Sequence, residues 1–513
     1  MGTHNVSGFI QSGARRLEAQ QWQERVARAA GALSDLGLAE GGMLALLMRN
    51  DLAFIETALA ASRLGAYSVP INWHFTAGEL RYILEDCAAT HLIAHTDLLS
   101  RSRDSVPRNV RIVAVRTPPE VEAAYGGTSE STSMPQECDW EELIRRTDPS
   151  ALRRAAARGS VTYTSGTTGR PKGVKRAPVP PEQQQHYEQL RRDWFGLRPR
   201  ARTAIVGPLY HSVISTYALA AVRSGVDVFL LPRFEAQELL RLVASERLTH
   251  LHLVPTMMIR LLKLPEAVRR SYDCSSLEFV VHGAAPCPPT VKRAMIEWWG
   301  PIIHEYYGTS EAGMVTRVTS EEWLRHEGTV GKPWPGRQIR ICDAHGATLP
   351  PRQEGEIYVG LDLMPDFTYH NASDLRAGIE REGMITNGDI GYTDEDGYLF
   401  LCDRKHDLVI SGGVNIYPAE VEAVLVTHPL VRDCAVFGIP DGELGEVPAA
   451  VVQPIADASP TVEELTKFLL ERIARFKVPR LIELRDSLPR QDSGKIYKRL
   501  LRDPYWAGSA RRI

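Results

Sequence analysis

Three features of the 513-residue chain predict an α/β protein. Helix-spaced and strand-like apolar runs alternate over residues 21–94, an order that builds βαβ units and a largely parallel sheet. The same alternation restarts near Ala204. Beyond Asp403 the texture changes to a compact α+β unit of about a hundred residues, an ordinary domain size.

In the first series, Val26, Ala29, Ala30, Leu33 and Leu36 recur at helical spacing within residues 21–36, and Gly37 ends that helix. Residues 44–48 form a short apolar run, read as a buried strand. Residues 51–64 form a helix closed by Gly65, followed by a strand at 67–72, a helix at 77–88 and a strand at 91–94. Residues 117–136 are rich in Pro, Glu, Gly, Ser and Thr and are read as a surface loop.

The second series contains strands at 204–207, 226–231, 250–254 and 279–282 and a helix at 236–246. Residues 337–360 and 388–402 carry short alternating runs around Asp-Ala-His-Gly and Asp-Glu-Asp-Gly turns, which is antiparallel β texture. After the charged segment 403–407, helices at 418–426 and 461–474 flank strands at 434–439 and 447–453.

Composition narrows the functional classes. A hydrophobic content of 43% with 24% charged residues is ordinary for a globular protein, and a net charge of −3 gives no electrostatic basis for nucleic-acid binding. No apolar run reaches the roughly 18 residues of a membrane span. The first residues carry no basic stretch followed by an apolar core, so no secretory signal is expected. The seven cysteines are scattered without a Cys-x-x-Cys pair, as for reduced thiols in a cytoplasmic protein, and form no zinc motif.

The most informative stretch is Thr162-Tyr-Thr-Ser-Gly-Thr-Thr-Gly-Arg-Pro-Lys-Gly-Val174. Small residues let backbone N–H groups approach phosphate oxygens, hydroxyls add donors, and Arg170 and Lys172 add charge. It is not a P-loop, because Gly173 stands where a hydroxyl should follow the lysine, and it is not G-x-G-x-x-G. The plain alternative is a polar surface loop.

A second polar run, His304-Glu-Tyr-Tyr-Gly-Thr-Ser-Glu-Ala-Gly313, follows apolar Ile302–Ile303 and is placed at the end of a strand, where α/β sheets bind ligands. Glu311 is a hard oxygen ligand suited to Mg²⁺, Thr309 can touch a phosphate, and Tyr306 and Tyr307 offer flat faces to a purine or an acyl group. A helix cap accounts for the same residues. Residues 280–286 run from a strand into Gly283-Ala-Ala-Pro, where missing side chains let a base come close.

Asp389 and Arg404 are suited to ribose hydroxyls and phosphate, or are a turn carboxylate and a surface cation. Gly412–Gly413 precede a helix, and Lys495 follows Gly494 in a polar tail.

Together and in this order, the segments 163–173, 306–313, 387–389, 403–404, 411–413 and 493–495 resemble the acyl-activating, AMP-forming ligases: acyl-CoA synthetases, aryl-CoA ligases, luciferase and adenylation domains. The resemblance implies a large N-terminal domain of two α/β sheets plus a distorted β-barrel (residues 1–403), a hinge at 404–406 and a small mobile C-terminal domain (407–513). It implies that Thr164, Ser165, Gly166, Thr167, Thr168 and Lys172 hold the phosphates of ATP. Glu311 would take Mg²⁺ and Thr309 the α-phosphate. Gly283, Ala284 and Ala285, with Glu305 and Tyr306, would frame the adenine, and Asp389 and Arg404 would fix the ribose. Lys495 would serve adenylation, and Gly412 and Gly413 would line the channel for coenzyme A. His406 stands where the family usually has Asp or Lys at its pivot.

His211, in Tyr210-His-Ser212, would lie beside the acyl carboxylate, with Val213, Ile214 and Tyr217 in an apolar, roomy pocket. No cation is evident for a second carboxylate and no acid for an amino group. The expected substrate is therefore an apolar monocarboxylic acid: fatty, aryl-alkanoic or polycyclic. Two alternatives remain open: transfer to a carrier-protein phosphopantetheine, and a non-catalytic acyl- or nucleotide-binding homologue. A homodimer is equally left open.

Overall fold

The computed structural model describes residues 7–126, 138–149, 155–164, 171–404, 407–412, 414–456, 458–490 and 496–507. Two sheets carry the large domain. The first has five parallel strands in the order Tyr67–Pro70, Met43–Leu47, His91–His95, Arg111–Val115 and Cys138–Asp139. Every residue of Met43–Leu47 is buried, as its continuous apolar run requires of a parallel strand covered on both faces.

The second sheet has nine strands. Its centre runs Asp227–Leu230, Arg202–Ile205, His250–Leu253, Phe279–His282 and Ile303–Thr309, all parallel, and the hairpin partner Gly313–Val318 follows antiparallel. Helices Leu52–Leu64 and Ser212–Arg223 contribute Phe54, Ile214 and Tyr217 to one core shared by the two sheets. Buried Asn50 joins them: its side-chain amide donates to the Gly207 and Leu231 carbonyls and its oxygen accepts from the Leu209 N–H, each at 2.9 Å.

Antiparallel strands complete the large domain. Lys172–Arg176 lies between Thr162–Thr164 and Phe367–Tyr369. A second group joins Ile339–Cys342, Gly355–Gly360, Met384–Thr393 and Leu399–Arg404. The smaller C-terminal domain has its own core, formed by helices Pro418–Leu425 and Val462–Leu470 on a sheet led by the long hairpin Val431–Asp441 and Gly445–Pro454.

Three local readings change. Residues Pro119–Tyr125, expected as loop, form a helix with proline at its first turn and Gly126 in the left-handed conformation after its end. The helix expected at 461–474 stops at Leu470. The 304–313 run does not follow a strand. Ile303–Thr309 is itself the strand, so Glu305, Tyr306 and Tyr307 alternate across its faces. Among the described residues no helix is long and apolar enough to cross a membrane.

Candidate active site

The strand Ile303–Thr309 organises the site. On one face the Tyr307 hydroxyl donates to Asp389 Oδ2 at 2.6 Å. Asp389 and Arg404 are register partners on adjacent antiparallel strands, and Arg404 Nε donates to Asp389 Oδ1 at 3.2 Å. Both Asp389 oxygens are thus oriented, and the residue is only 7% exposed. Burial, then the neighbouring Asp389 charge, raises the Tyr307 phenol far above its ordinary value, so it remains a donor.

Beyond Tyr307 the chain turns tightly. Thr309 Oγ1 donates to Asn387 Oδ1 at 3.0 Å and accepts the Ala312 N–H at 2.9 Å, which folds the Ser310–Ala312 turn back on the strand. A half-buried and a buried arginine hold this turn by its carbonyls. Arg176 donates to Ser310 and Glu311, and Arg337 donates to Ala312, Met314 and Gly360. Burial, reinforced by their mutual proximity in the case of Arg176, lowers both guanidinium values to about 10, still well charged near neutrality.

Glu311 is 8% exposed. Its Oε1 accepts the Tyr369 hydroxyl at 3.0 Å, and Lys172 Nζ lies 5.7 Å from the centre of the Tyr369 ring. Strand pairing puts Thr164 opposite Lys172. Gly173 is packed under the Tyr163 ring, 3.0 Å from where a β-carbon would stand, and the Tyr163 hydroxyl is tied to Asp86. Lys172, Glu311 and the Asp389–Arg404 pair, expected at phosphate, metal and ribose, therefore form one continuous wall. Ser165, Gly166, Thr167 and Thr168, expected on that wall, lie outside the described residues, as do His406, Gly413 and Lys495.

The opposite face of the strand differs. Tyr306 is 6% exposed, and its ring lies over Gly283: a β-carbon on Gly283 would stand 2.7 Å from that ring. Its hydroxyl is 3.1 Å from His252 Nε2. Burial holds the His252 imidazole neutral, lowering its value to about 4. Glu305, two residues before Tyr307 and on the same face as it, is also turned inward: its carboxylate lies 2.7 Å from Lys292 Nζ, with His282 Nε2 at 3.6 Å. Burial disfavours charge on both partners of that pair, and their contact offsets it. The Glu305 and Tyr306 side chains, expected beside adenine, are thus packed into the interior. Ala284 and Ala285 are exposed, and Ala284 is held in a left-handed conformation at φ 67°.

His211 stands at the start of helix Ser212–Arg223, after the loop that Asn50 fixes, and its side chain makes no capping hydrogen bond to the first turn. Ser212 Oγ stands 3.5 Å from Ser310 Oγ, so the His211 segment meets the tip of the 310–312 turn. Gly412 sits at φ 56° in the hairpin of Val409–Ser411 and Val414–Ile416 and donates its N–H to the Leu444 carbonyl. Just beyond 495, Ile496 bridges Arg490, and Lys498 Nζ pairs with Glu422 at 2.8 Å, anchoring that segment to the C-terminal domain.

Sequence reasoning left Tyr307, Ser310 and Asn387 without a specific site role and missed Tyr369. The alternation of Tyr306 and Tyr307 was a usable signal once the run is seen to be a strand. Tyr369 had none, because it arrives from a separate antiparallel strand.

This geometry has known counterparts. The sequence pattern described as AMP-binding enzyme matches residues 4–364, and that of the AMP-binding enzyme C-terminal domain matches residues 420–495. This chain belongs to the AMP-binding enzyme family. Within it, the chain is an AMP-forming ligase of the acyl- and aryl-CoA ligase group. It is 32% identical over 478 residues to a 2-succinylbenzoate–CoA ligase of Bacillus licheniformis, covering 92% of each chain. It is 29% identical over 502 residues to the long-chain-fatty-acid–CoA ligase FadD13 of Mycobacterium tuberculosis, covering 96% of this chain and 94% of that one. Among solved structures, the amide bond synthetase McbA of Marinactinospora thermotolerans superposes with a TM-score of 0.81 at 26% identity, over 98% of both chains. AMP-forming ligases of this family work with ATP and coenzyme A.

Proposed function

We propose that the protein activates an apolar monocarboxylic acid (fatty, aryl-alkanoic or polycyclic) as an acyl adenylate and transfers the acyl group to coenzyme A. The observation that carries this is the continuous wall from Lys172 through Tyr369, Glu311, Thr309 and Asn387 to Tyr307, Asp389 and Arg404. It brings phosphate-, metal- and ribose-type groups together from segments far apart in sequence.

In the first half-reaction a carboxylate oxygen attacks the α-phosphorus of ATP, and the bond to pyrophosphate breaks. Lys172 and the 164–168 loop hold the leaving phosphates. Thr309 was the expected α-phosphate contact, but its hydroxyl hydrogen is engaged by Asn387, so the adjacent Ser310 hydroxyl takes that role. Asp389 and Arg404 hold the ribose, and Tyr307 lies against the nucleoside. His211 orients the acid from across the turn. Glu311 fits Mg²⁺: it is a hard oxygen donor whose Oε1 accepts the Tyr369 hydroxyl, and no further hydrogen bond to its carboxylate is made among the described residues. The ion, when bound, neutralises charge on the leaving phosphates.

In the second half-reaction the thiol sulfur of coenzyme A attacks the acyl carbonyl, AMP leaves, and the thiol proton passes to solvent. Residues 1–403 form the acyl- and nucleotide-binding domain, 404–406 the hinge and 407–513 the moving domain. Rotation exchanges Lys495, which assists adenylation, for the Gly412–Gly413 loop, which lines the thiol channel.

Incubation with ATP, magnesium, coenzyme A and a panel of carboxylic acids tests this. Acid-dependent pyrophosphate and acyl-CoA are expected; no pyrophosphate with any acid refutes adenylation. Pyrophosphate with acylation of a carrier protein, and no acyl-CoA, identifies the phosphopantetheine acceptor instead.

A further inference from the structure

We infer that Tyr306 is the floor of the acid pocket and restricts the enzyme to compact acids, with one ring or a short chain. This rests on the adenylation chemistry above and narrows its substrate class. An acid attacking at the α-phosphorus must place its carboxylate beside the Ser310 turn, where Ser212 faces Ser310. Its tail then points inward, between the first turns of helix Ser212–Arg223 and the strand Ile303–Thr309.

Tyr306 occupies that inward path. Its ring leaves one strand, crosses the end of the next over Gly283, and reaches a third strand, where the hydroxyl meets His252 at 3.1 Å. A ring laid across three strands forms a bar. The space behind is filled as well. Tyr217 stands 5.4 Å from the His252 ring and 5.2 Å from Phe195, and its hydroxyl meets Thr203 Oγ1 at 2.7 Å. Tyr217, Phe195 and His252 are each 2% exposed or less. Both tyrosine hydroxyls have partners, so neither ring gains a hydrogen bond by retreating. An extended acyl chain would have to displace this close-packed wall.

The test compares wild type, Tyr306→Ala and Tyr306→Phe with benzoate and decanoate, read as the ratio of kcat/KM in pyrophosphate release. Wild type is expected to favour benzoate. Tyr306→Ala should shift the ratio toward decanoate by about tenfold or more, as expected when a hydrophobic pocket gains room for several methylenes. Tyr306→Phe keeps the ring and should shift it far less. Tyr306→Leu replaces the alanine variant if that one does not fold. Preference of wild type for decanoate, or an unchanged ratio in a folded Tyr306→Ala or Tyr306→Leu, overturns the proposal. Calorimetric binding of the same two acids in the presence of AMP reads the pocket without turnover. The same reversal in binding, with no pyrophosphate formed, would uphold the pocket floor while refuting adenylation.

Discussion

Tyr306 and Tyr307 are neighbours on one strand and belong to different halves of the site. Tyr307 faces the wall where Asp389, Arg404, Glu311 and Lys172 gather. That wall is polar, assembled from five separate chain segments, and held largely by hydrogen bonds between fixed partners. Tyr306 faces a region of aromatic rings and neutral imidazole that is nearly sealed from water. On the proposed function, the contrast is how one strand would serve two substrates of opposite character. The period-two alternation of a β-strand delivers charge-compatible groups to one side and apolar groups to the other.

The largest expected effect lies on the polar side. Glu311→Gln keeps the shape and removes the charge, and should lower kcat for pyrophosphate release by about a hundredfold or more, as for loss of one preorganised electrostatic contact. A loss below about tenfold would remove Glu311 from the chemistry. Next, Arg404→Ala leaves Asp389 without its cation and should raise the KM for ATP by about tenfold, the usual worth of a charge-assisted hydrogen bond, with little change in the KM for the acid. An equal rise in both would dissolve the division between the two faces.

The apolar side predicts a pH effect. Burial lowers the imidazoles of His250, His252 and His304 to about 4, so all three are neutral in the folded protein. As pH falls below the ordinary value of 6.5, the unfolded chain binds protons there and the native chain does not. The stability these groups provide is therefore complete above pH 6.5 and is lost as pH falls toward 4, at about 1.4 kcal/mol per pH unit for each fully neutral group. Urea midpoints between about pH 7 and about pH 5 should drop in wild type. The drop should be shallower in His304→Phe, where the ring already stacks on Phe279 at 4.1 Å and Nδ1 has no partner among the described residues. An identical slope in the variant would contradict the buried-neutral assignment. The smallest effect is that of Tyr306→Phe on stability, about 1 kcal/mol for one buried hydrogen bond, read as a lower urea midpoint.

Much of this was legible in the sequence, for identifiable reasons. The parallel strands are continuous apolar runs, so 44–48 and 279–282 are found nearly in place as Met43–Leu47 and Phe279–His282. Glu311 and Asp389 stand out because they are polar residues close to glycines, and Arg404 because it opens the charged 403–407 segment after an apolar run. The placement of Glu305 and Tyr306 was not legible, because side-chain direction depends on the strand running through residue 309 instead of ending before 304. Tyr369 and Asn50 were silent for another reason. Their roles exist only when the strand Phe367–Tyr369 meets Lys172–Arg176, and when the first sheet meets the Gly207–Leu209 loop. Long-range pairing of that kind leaves no local pattern.

The division of the two faces is tested most directly by calorimetric titration of AMP into Tyr307→Ala and Tyr306→Ala, side by side with wild type. Loss of AMP affinity by about tenfold or more in Tyr307→Ala, with a much smaller change in Tyr306→Ala, is the predicted result. Greater loss in Tyr306→Ala, or equal loss in both, would contradict it.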